Sequence, residues 1–245
     1  MAEKDNIVFG LRPVIEAIEA GKEIDKIFIK KGSDSPIMEQ LRATAKQHSI
    51  QVQDVPIEKL NRLTRNNHQG VVAQVSPIVY AEISEVIENL TEEGKVPLIL
   101  LMDSITDIRN FGAIARSAEC AGVNAIIMPI KNSAPVNAEA IKSSAGALNI
   151  INVCRVGSIR NTLKYLAESG LQVVAANEKA SKLPWEVDFT VPTVIVMGSE
   201  DVGISKEVLK LCNELVSIPM TGKIESLNVS VAAGIILFEA VKQRM

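Results

Sequence analysis

The sequence predicts an α/β protein of two domains, the larger of which is built on a mostly parallel sheet. The chain has 245 residues, which is long for one small domain and suits two. Apolar residues make up 47% of it and aromatic residues only 3%, so we expect a core of Ile, Val, Leu and Ala. Strand-like and helix-like segments alternate along the chain, which is typical of α/β folds.

Residues 1–76 are predicted to form a small α/β domain. The patterns favour helices at Leu11–Ala20, Pro36–His48 and Ile57–Thr64, and strands at Lys26–Ile29, Gln51–Val55 and Gly70–Val75. Residues 77–95 carry a few apolar side chains among many acids. We interpret them as a linker with a helical middle, so that the second domain spans residues 96–245.

The second domain repeats a strand followed by a helix. Its predicted strands are Leu98–Met102, Ala125–Met128, Ile150–Cys154, Gln172–Ala176, Thr193–Met197 and Leu215–Ile218. These apolar runs do not alternate with polar residues, which is typical of strands buried on both faces and therefore of a parallel sheet. Helices are expected to begin near Gly112, Ala138, Ser158 and Ser205, and a last helix is expected at Val229–Arg244.

The composition argues against several classes of protein. The net charge is −3, so the chain lacks the basic excess that is typical of proteins binding nucleic acid mainly by charge. Its three cysteines form no C-x-x-C pair, which argues against a zinc site. The longest apolar stretch, near Val96–Met102, is far shorter than the roughly 20 residues of a membrane span. We therefore expect a soluble cytoplasmic protein with no metal and no membrane segment.

Three polar loops follow predicted strands, at the edge where open α/β sheets bind ligands. The first is Asp103–Arg116, in which Arg109, Asn110 and Arg116 are expected to face the loop mouth. The structural alternative is a capped helix, with Asn110 as the cap and Arg116 as a solvated charge. This segment by itself leaves both interpretations open.

The second loop is Met197–Ser205, which carries Glu200. Gly198 and Gly203 permit tight turns and a close approach to a ligand, and Ser205 is a candidate helix cap. No G-x-G-x-x-G or P-loop occurs, so the usual dinucleotide and phosphate motifs are absent.

The third loop, Ile218–Ser230, leads into the last helix. Ser226 or Asn228 is its candidate cap, and Val231, Ile235, Phe238 and Val241 form an apolar stripe along it. Ala232, Ala233, Leu237 and Ala240 extend the apolar surface beyond that stripe. Such a helix is usually buried on more than one side, either by a partner subunit or within its own domain.

Three segments carry a specific resemblance. N-F-G-A-I-A-R-S-A at 110–118, V-M-G-S-E at 196–200, and I-P-M with S-L-N-V-S-V-A within 218–232 resemble the three motifs of the SpoU family. These are TrmH-like RNA ribose 2′-O-methyltransferases of the trefoil-knot (SPOUT) class. The likeness covers residues 96–245 and implies a parallel-sheet, knotted methyltransferase domain that uses S-adenosylmethionine.

The front domain also resembles a part of this family. With Phe9-Gly10 and His68-Gln69-Gly70, it is similar to the family's small ribosomal-protein-L30e-like RNA-binding domain. The arrangement of two domains is most similar to the bacterial 23S rRNA guanosine 2′-O-methyltransferases. The resemblance therefore implies 2′-O-ribose methylation of structured RNA, with a guanosine of 23S rRNA as the target.

The resemblance also implies roles for individual residues. Catalytic roles fall to Arg116, with Asn110, Glu200, Ser226 and Asn228 in support. Cofactor binding falls to Asn177, Gly198, Ile218, Ser226 and Leu227. Because knotted SpoU domains pair beside the cofactor loops, a homodimer is expected.

The expected RNA contacts are mostly basic residues of the front domain. They are Lys26, Lys30, Lys31, Arg62, Arg65 and His68, together with Arg109 of the second domain. The alternative for the front-domain cations is a solvated face. Two other functions stay open at this point, a tRNA ribose methyltransferase of the same family and a non-catalytic RNA-binding ribosome factor.

Overall fold

The computed structural model describes residues 6–245. Their contacts divide the chain into two compact units. The first unit ends at Val79 and includes the short segment Val136–Ala138, and the second consists of Tyr80–Pro135 and Glu139–Met245. None of the helices within residues 6–245 has the length and apolar character needed to cross a bilayer.

The first unit is a four-stranded mixed sheet with three helices. Its elements are β1 (Ile7–Phe9), α1 (Leu11–Glu19), β2 (Ile24–Lys30), α2 (Pro36–Gln47), β3 (Gln51–Val55), α3 (Ile57–Leu63) and β4 (Val71–Val75). The strand order is β1-β4-β2-β3, in which only β2 and β3 run parallel. The sequence patterns predicted all of these elements except β1, which has three residues and is too short to show a period.

The alternation of side chains along β2 decides which helices cover each face of this sheet. Ile27 and Ile29 point to one face and are buried in a core that α1 and α2 complete. Phe28 points to the opposite face, where Leu60 of α3 packs against it. The first unit therefore has a large core on one side of the sheet and a small one on the other.

The second unit is built on a six-stranded parallel sheet. Its elements are α4 (Ile83–Glu92), β5 (Leu98–Asp103), α5 (Ile108–Cys120), β6 (Ala125–Pro129), α6 (Ala138–Ser143), β7 (Asn152–Val156), α7 (Ile159–Glu168), β8 (Gln172–Ala176), β9 (Thr193–Gly198), α8 (Lys206–Leu209), β10 (Glu214–Val216) and α9 (Val229–Arg244). The strand order is β10-β8-β9-β5-β6-β7, and every neighbouring pair is parallel. The α/β fold class is thus confirmed, while the trefoil knot stays a prediction.

Helix α4 lies in the segment that the sequence analysis interpreted as a linker. Val86, Ile87 and Leu90 are buried in the core of the second unit, and the acidic residues of the helix face outward. Their spacing places the three apolar side chains on one face of a helix. The segment from Tyr80 onward is therefore a packed part of the second unit.

Helix α9 has two apolar faces with different environments. Its buried residues are Val229, Ala233, Ile236, Leu237 and Ala240, and the helix packs against α5 and β9. Val231, Ile235 and Phe238 lie on another face and are 41–50% exposed. Three of the four residues of the predicted apolar stripe are therefore exposed, and the fourth, Val241, is half-buried.

Candidate active site

A cavity of about 510 Å³ opens at the carboxyl ends of β8, β9 and β10. Its walls come from the end of β8 with the turn after it, from the loop after β9, and from the loop before α9. All five expected cofactor-binding residues line it: Asn177, Gly198, Ile218, Ser226 and Leu227. The volume lies within the range of about 300–1,000 Å³ found for pockets that hold small ligands.

Gly198 is the point at which the second loop folds back onto its own strand. A Cβ atom at this position would lie 2.3 Å from the carbonyl carbon of Gly203 and 2.4 Å from the nitrogen of Ile204. The Gly203 N–H donates to the Ser199 carbonyl at 2.9 Å, and Gly203 has a φ of 69°, which favours glycine. Both glycines are thus required for the loop that forms one wall of the cavity.

Asn177 shapes another wall of the cavity. Its backbone N–H donates to the carbonyl of Val216 at 2.9 Å, and its side-chain Oδ1 accepts from the Lys179 N–H at 2.9 Å. The side-chain oxygen is therefore used within its own turn. Because this turn links the ends of β8 and β10, Asn177 fixes the wall that they share.

Asn228 joins the three loops in one hydrogen-bond network. Its Nδ2 donates to Glu200 Oε1 at 2.6 Å and to Asn110 Oδ1 at 3.0 Å. Its Oδ1 accepts from the Ser230 N–H at 3.0 Å, which makes Asn228 the cap of α9. The Val229 N–H also donates to Glu200 Oε1, at 3.2 Å. The cap orients the amide, so its NH₂ group faces the two acceptors.

This network engages only one oxygen of the Glu200 carboxylate. Oε1 accepts two hydrogen bonds, whereas Oε2 has no hydrogen bond to any residue within 6–245. Glu200 is exposed and lines the cavity. One carboxylate oxygen is thus held in place by the protein while the other remains open to a ligand.

Helix α5 begins earlier than the sequence pattern indicated, and this frees Asn110. The cap is Asp107, whose Oδ1 accepts from the Asn110 N–H at 2.7 Å. Gly112, expected near the helix start, is instead inside the helix, where a Cβ would lie 1.9 Å from Ser143 Oγ. The interpretation of Asn110 as a cap was therefore wrong.

Of the candidate helix caps in the other two loops, only one makes a capping hydrogen bond. Asn228 caps α9, whereas Ser226 is exposed and lines the cavity. Ser205 precedes α8, but its hydroxyl makes no capping hydrogen bond. Ser226 is therefore the candidate that remains available to a ligand.

Arg116 lies apart from this network. It is six residues beyond Asn110 on α5, which places it about 9 Å farther along the helix and about 120° around it. The side chain is exposed, does not line the cavity, and makes no hydrogen bond or ion pair with the described part of the chain. The expected convergence of Arg109, Asn110 and Arg116 at one loop mouth is therefore not formed within a single chain. Arg109 is exposed and points toward Glu139 instead, with Nε 3.5 Å from Oε1.

Asp103 was not among the predicted site residues, although it contacts the second loop. It ends the otherwise apolar strand β5, is 5% exposed, and accepts from the Ser205 N–H through Oδ2 at 2.9 Å. A single acid at the end of the run Leu98–Met102 was the signal that could have found it.

The expected RNA contacts of the first unit fall into two groups. Lys30, Lys31, Arg62 and Arg65 are exposed, and none forms an ion pair with a carboxylate among residues 6–245; Lys26 is half-buried on β2. Lys59, which the sequence analysis did not include, is also exposed and lies over the ring of Phe28, 4.7 Å from its centroid.

His68 departs from the expectation of an RNA contact. It is 7% exposed, its Nδ1 accepts from the Gly70 N–H at 3.0 Å, and its Nε2 lies 3.0 Å from Asn61 Oδ1. These partners assign the proton to Nε2, which donates to Asn61. The ring has no nitrogen left for a ligand, so His68 fixes the loop 66–70 against α3.

Comparison with protein families identifies the second unit. Residues 97–238 match the model of the SpoU rRNA Methylase family. The chain belongs to the SpoU family. Residues 7–81 of this SpoU protein, which cover nearly all of the first unit and the first two residues of the second, match a second model, described as RNA 2′-O ribose methyltransferase substrate binding.

Relatives of the SpoU protein match over nearly its whole length. It is 32% identical over 244 residues to a Bacillus subtilis protein named as a TrmH family tRNA/rRNA methyltransferase, covering 100% of this chain and 98% of the relative. It is 37% identical to a tRNA/rRNA methyltransferase of Mycolicibacterium gilvum, covering 97% of this chain and 76% of that protein.

Two solved structures resemble this SpoU protein with TM-scores of 0.62 and 27% sequence identity. One is the SpoU methyltransferase AviRb from Streptomyces viridochromogenes in complex with the cofactor AdoMet. The match covers 97% of this chain and 90% of AviRb. The other is an AdoMet-bound rRNA methyltransferase from Sinorhizobium meliloti. This match covers 98% of this chain and 88% of the Sinorhizobium meliloti chain.

Proposed function

We propose that this SpoU protein transfers a methyl group from S-adenosylmethionine (AdoMet) to a ribose 2′-hydroxyl, with a guanosine of 23S rRNA as the target. Membership of the family and the matched substrate-binding domain make it a tRNA or rRNA 2′-O-methyltransferase. The observation that carries the proposal is the network in which Asn228 joins Glu200 and Asn110 beside the cavity. The pairing of a substrate-binding unit with a methylase unit supports the choice of 23S rRNA.

The cavity fits AdoMet in size and in the charges around it. Acidic lining residues suit a cationic sulfur and an ammonium group, and the basic ones suit a carboxylate. The acids are Glu178, Glu200, Asp201 and Glu225, and the bases are Lys179 and Lys206. When bound, the cofactor supplies an activated methyl group. The backbone of the loops at Gly198, Ile218 and Leu227, with Asn177 and Ser226, would hold it.

The residues of the network act on the hydroxyl that receives the methyl group. A hydroxyl is a weak nucleophile, so it has to be held in line and must lose its proton. The unpaired Oε2 of Glu200 is placed to accept the hydroxyl hydrogen and then the proton, because the oxygen becomes acidic as its new C–O bond forms. Asn228 and Asn110 keep the carboxylate oriented.

Arg116 is assigned to the RNA phosphate next to the target ribose. A guanidinium stays protonated and presents a planar set of donors, so it suits a phosphate clamp better than a base. Because Arg116 is remote from the network of its own chain, we assign it to the cavity of a partner subunit. This requires that the active enzyme is a homodimer.

The exposed face of α9 is the proposed contact between subunits. Val231, Ile235 and Phe238 present a row of large apolar side chains to solvent, and such rows are typical of interaction sites. Trp185, the only tryptophan, lies on a short turn that contacts α9 and is 53% exposed. Pairing about a two-fold axis is the commonest oligomer symmetry and would cover this face.

The first unit is proposed to hold the RNA through a basic corner, defined here as Lys30, Lys31, Lys59, Arg62 and Arg65. The Lys30 N–H donates to the Gly70 carbonyl, and the Lys31 N–H donates to the Val55 carbonyl just before α3. His68 ties the loop that follows Arg65 to α3. These contacts gather the five cations at one corner of the unit, where they can contact phosphates and recognise RNA shape.

A methyl-transfer assay with tritiated AdoMet tests the proposal. The purified protein is incubated with 23S rRNA and with total tRNA, and the labelled nucleotide is mapped. Each RNA is then tested again with a 2′-O-methylated guanosine at that nucleotide. We expect label in 23S rRNA and its loss when the site is already methylated. Label in tRNA alone would establish the tRNA enzyme instead. AdoMet binding without transfer to either RNA would favour a non-catalytic factor.

A further inference from the structure

Asp103 is a buried carboxylate that the proposed reaction does not use. It is the last residue of β5, only 5% of its surface is exposed, and the five residues before it are apolar and buried. It does not line the cavity. A carboxylate in such a place is costly unless hydrogen-bond donors surround it, so its presence requires a structural or functional reason.

Each of its two oxygens accepts a hydrogen bond, one from a distant residue and one from its neighbour. Oδ2 accepts from the backbone N–H of Ser205 at 2.9 Å, a contact across 102 residues of sequence. Oδ1 accepts from the hydroxyl of Ser104 at 3.1 Å. Ser104 itself has a φ of 63°, an uncommon conformation for a residue with a side chain. The chain therefore turns sharply out of β5 at the point where Asp103 is fixed.

Asp103 also stands at both ends of the second loop. In the parallel pair of β5 and β9 it is in register with Gly198, where the loop begins. Its hydrogen bond goes to Ser205, where the loop ends. Between these two points run the residues that form one cavity wall and carry Glu200. One side chain thus closes the whole loop.

We propose that Asp103 is a positioning residue that holds the Ser199–Ser205 loop in the conformation that forms the cofactor cavity and presents Glu200 to Asn228. The cofactor part of this role rests on the proposed function, whereas the closure of the loop does not. Without that acceptor, the loop would lose its hydrogen bond to the end of β5 and would be held by the contact between Ser199 and Gly203 across its base and by the hydrogen bonds of Glu200. The hydrogen bond between Glu200 and Asn228 would then be formed in only a fraction of the molecules.

The experiment removes the hydrogen bond from each of its two ends. Asp103→Ala removes the acceptor, and Ser205→Pro removes the N–H donor at a residue whose φ of −61° already suits proline. Asp103→Asn is the conservative variant, because its Oδ1 accepts from Ser205 while its NH₂ donates to Ser104. Ile127→Val, which trims a fully buried side chain of β6, is the control for general loss of stability.

Two measurements are made on the full-length protein: hydrogen exchange of the loop amides without ligand, and AdoMet affinity by calorimetry. We expect Asp103→Ala and Ser205→Pro each to speed loop exchange at least tenfold and to weaken AdoMet binding at least tenfold. The double variant should be no worse than Asp103→Ala, since both substitutions remove the same hydrogen bond between Asp103 and Ser205. Asp103→Asn should bind AdoMet within threefold of the wild type, and Ile127→Val should leave both readouts unchanged.

Several results would overturn the proposal. One is unchanged loop exchange in Ser205→Pro, which also decides the matter if Asp103→Ala does not fold. Another is loop exchange and AdoMet affinity in Asp103→Asn that match those of Asp103→Ala, because the proposal assigns the role of Asp103 to the hydrogen bond that its side chain accepts from Ser205. A third is equal loosening of the loop by Ile127→Val. If the wild type does not bind AdoMet, the proposed cofactor fails, and exchange in the ligand-free protein still decides the role of Asp103.

Discussion

The side-chain amide of Asn228 donates a hydrogen bond of 3.0 Å to Asn110 Oδ1, although 118 residues separate them. The same NH₂ group donates to Glu200. Because the other end of the amide caps α9, the helix start and the cavity edge share one side chain. The two jobs of Asn228 can be separated by mutation.

Asn228→Asp should keep the cap and lose the network. Aspartate caps helices as well as asparagine does, so the acceptor for Ser230 remains. The NH₂ donor is replaced by an oxygen that faces Glu200, and the two carboxylates repel each other. We expect methyl transfer to fall at least 100-fold with little change in the thermal midpoint. Asn228→Ala is the comparison, because it should lose stability as well. Activity within threefold of wild type in Asn228→Asp would contradict the assignment.

Arg116→Ala should abolish methyl transfer while AdoMet affinity stays within threefold. Arg116 does not line the cavity of its own chain, so the cofactor loops are left intact. Arg116→Lys should also transfer the methyl group slowly, because the point charge of an ammonium group does not replace the planar set of donors of a guanidinium. Rates of single-turnover methyl transfer and calorimetry separate the two effects.

Mixed dimers test whether Arg116 serves the partner subunit. Arg116→Ala and Asn228→Ala protein are each inactive by expectation, and they are unfolded together, refolded and assayed. A mixed dimer then contains one cavity with both residues intact, so we expect up to a quarter of wild-type activity. No recovery in a preparation shown to contain mixed dimers would place Arg116 in the site of its own chain.

Phe238→Asp should convert the proposed homodimer into monomers. Phe238 is 50% exposed on α9, and a charge there cannot be buried against a second copy. Light scattering should give about twice 26.5 kDa for the wild type and 26.5 kDa for the variant. The emission of Trp185 should shift to the red on dissociation. Ile150→Asp, at an apolar residue that is 72% exposed elsewhere, should remain dimeric. A monomeric wild type with full activity would refute the dimer.

Reversing two charges of the basic corner should weaken RNA binding selectively. Lys31→Glu combined with Arg62→Glu should lower affinity for 23S rRNA by roughly 10- to 100-fold and reduce its salt dependence, since fewer counterions are released. AdoMet affinity should not change. Lys22→Glu combined with Lys46→Glu, which reverses two exposed lysines outside the basic corner, is the matched control. Equal losses in the control would mean that the effect comes from overall charge.

Arg244 near the end of α9 should contribute strongly to stability. Its guanidinium donates to four backbone carbonyls, those of Val96, Pro97, Phe189 and Val191. Burial lowers the pKa of Arg244, yet no carboxylate among the described residues pairs with it. Arg244→Lys cannot satisfy all four acceptors and should cost roughly 2 kcal/mol in urea unfolding, at about 1 kcal/mol or more for each unsatisfied group. A loss below 0.5 kcal/mol, on the order of a neutral surface change, would contradict this.

The sequence by itself determined the fold class, nearly all of the strands and helices, and the family. Long apolar runs and helical spacing are local patterns, so β5, β9 and α9 could be recognised without knowing what packs on them. The motifs at 110–118, 196–200 and 218–232 were equally visible. The last two motifs contain Gly198, Ile218, Ser226 and Leu227, which line the cavity, because a loop residue next to a strand end has little freedom in where it lies.

Only the tertiary structure decided which of these residues meet. Asn110 reaches Asn228 because Asp107 starts α5 one turn earlier than the apolar pattern indicates, and Arg116 is carried away from them by the pitch of the same helix. His68 turned inward because Asn61 and Gly70 bind both of its ring nitrogens. Asp103 became part of the site through a single bond across 102 residues. Such contacts depend on chain topology, and no local pattern in the sequence encodes them.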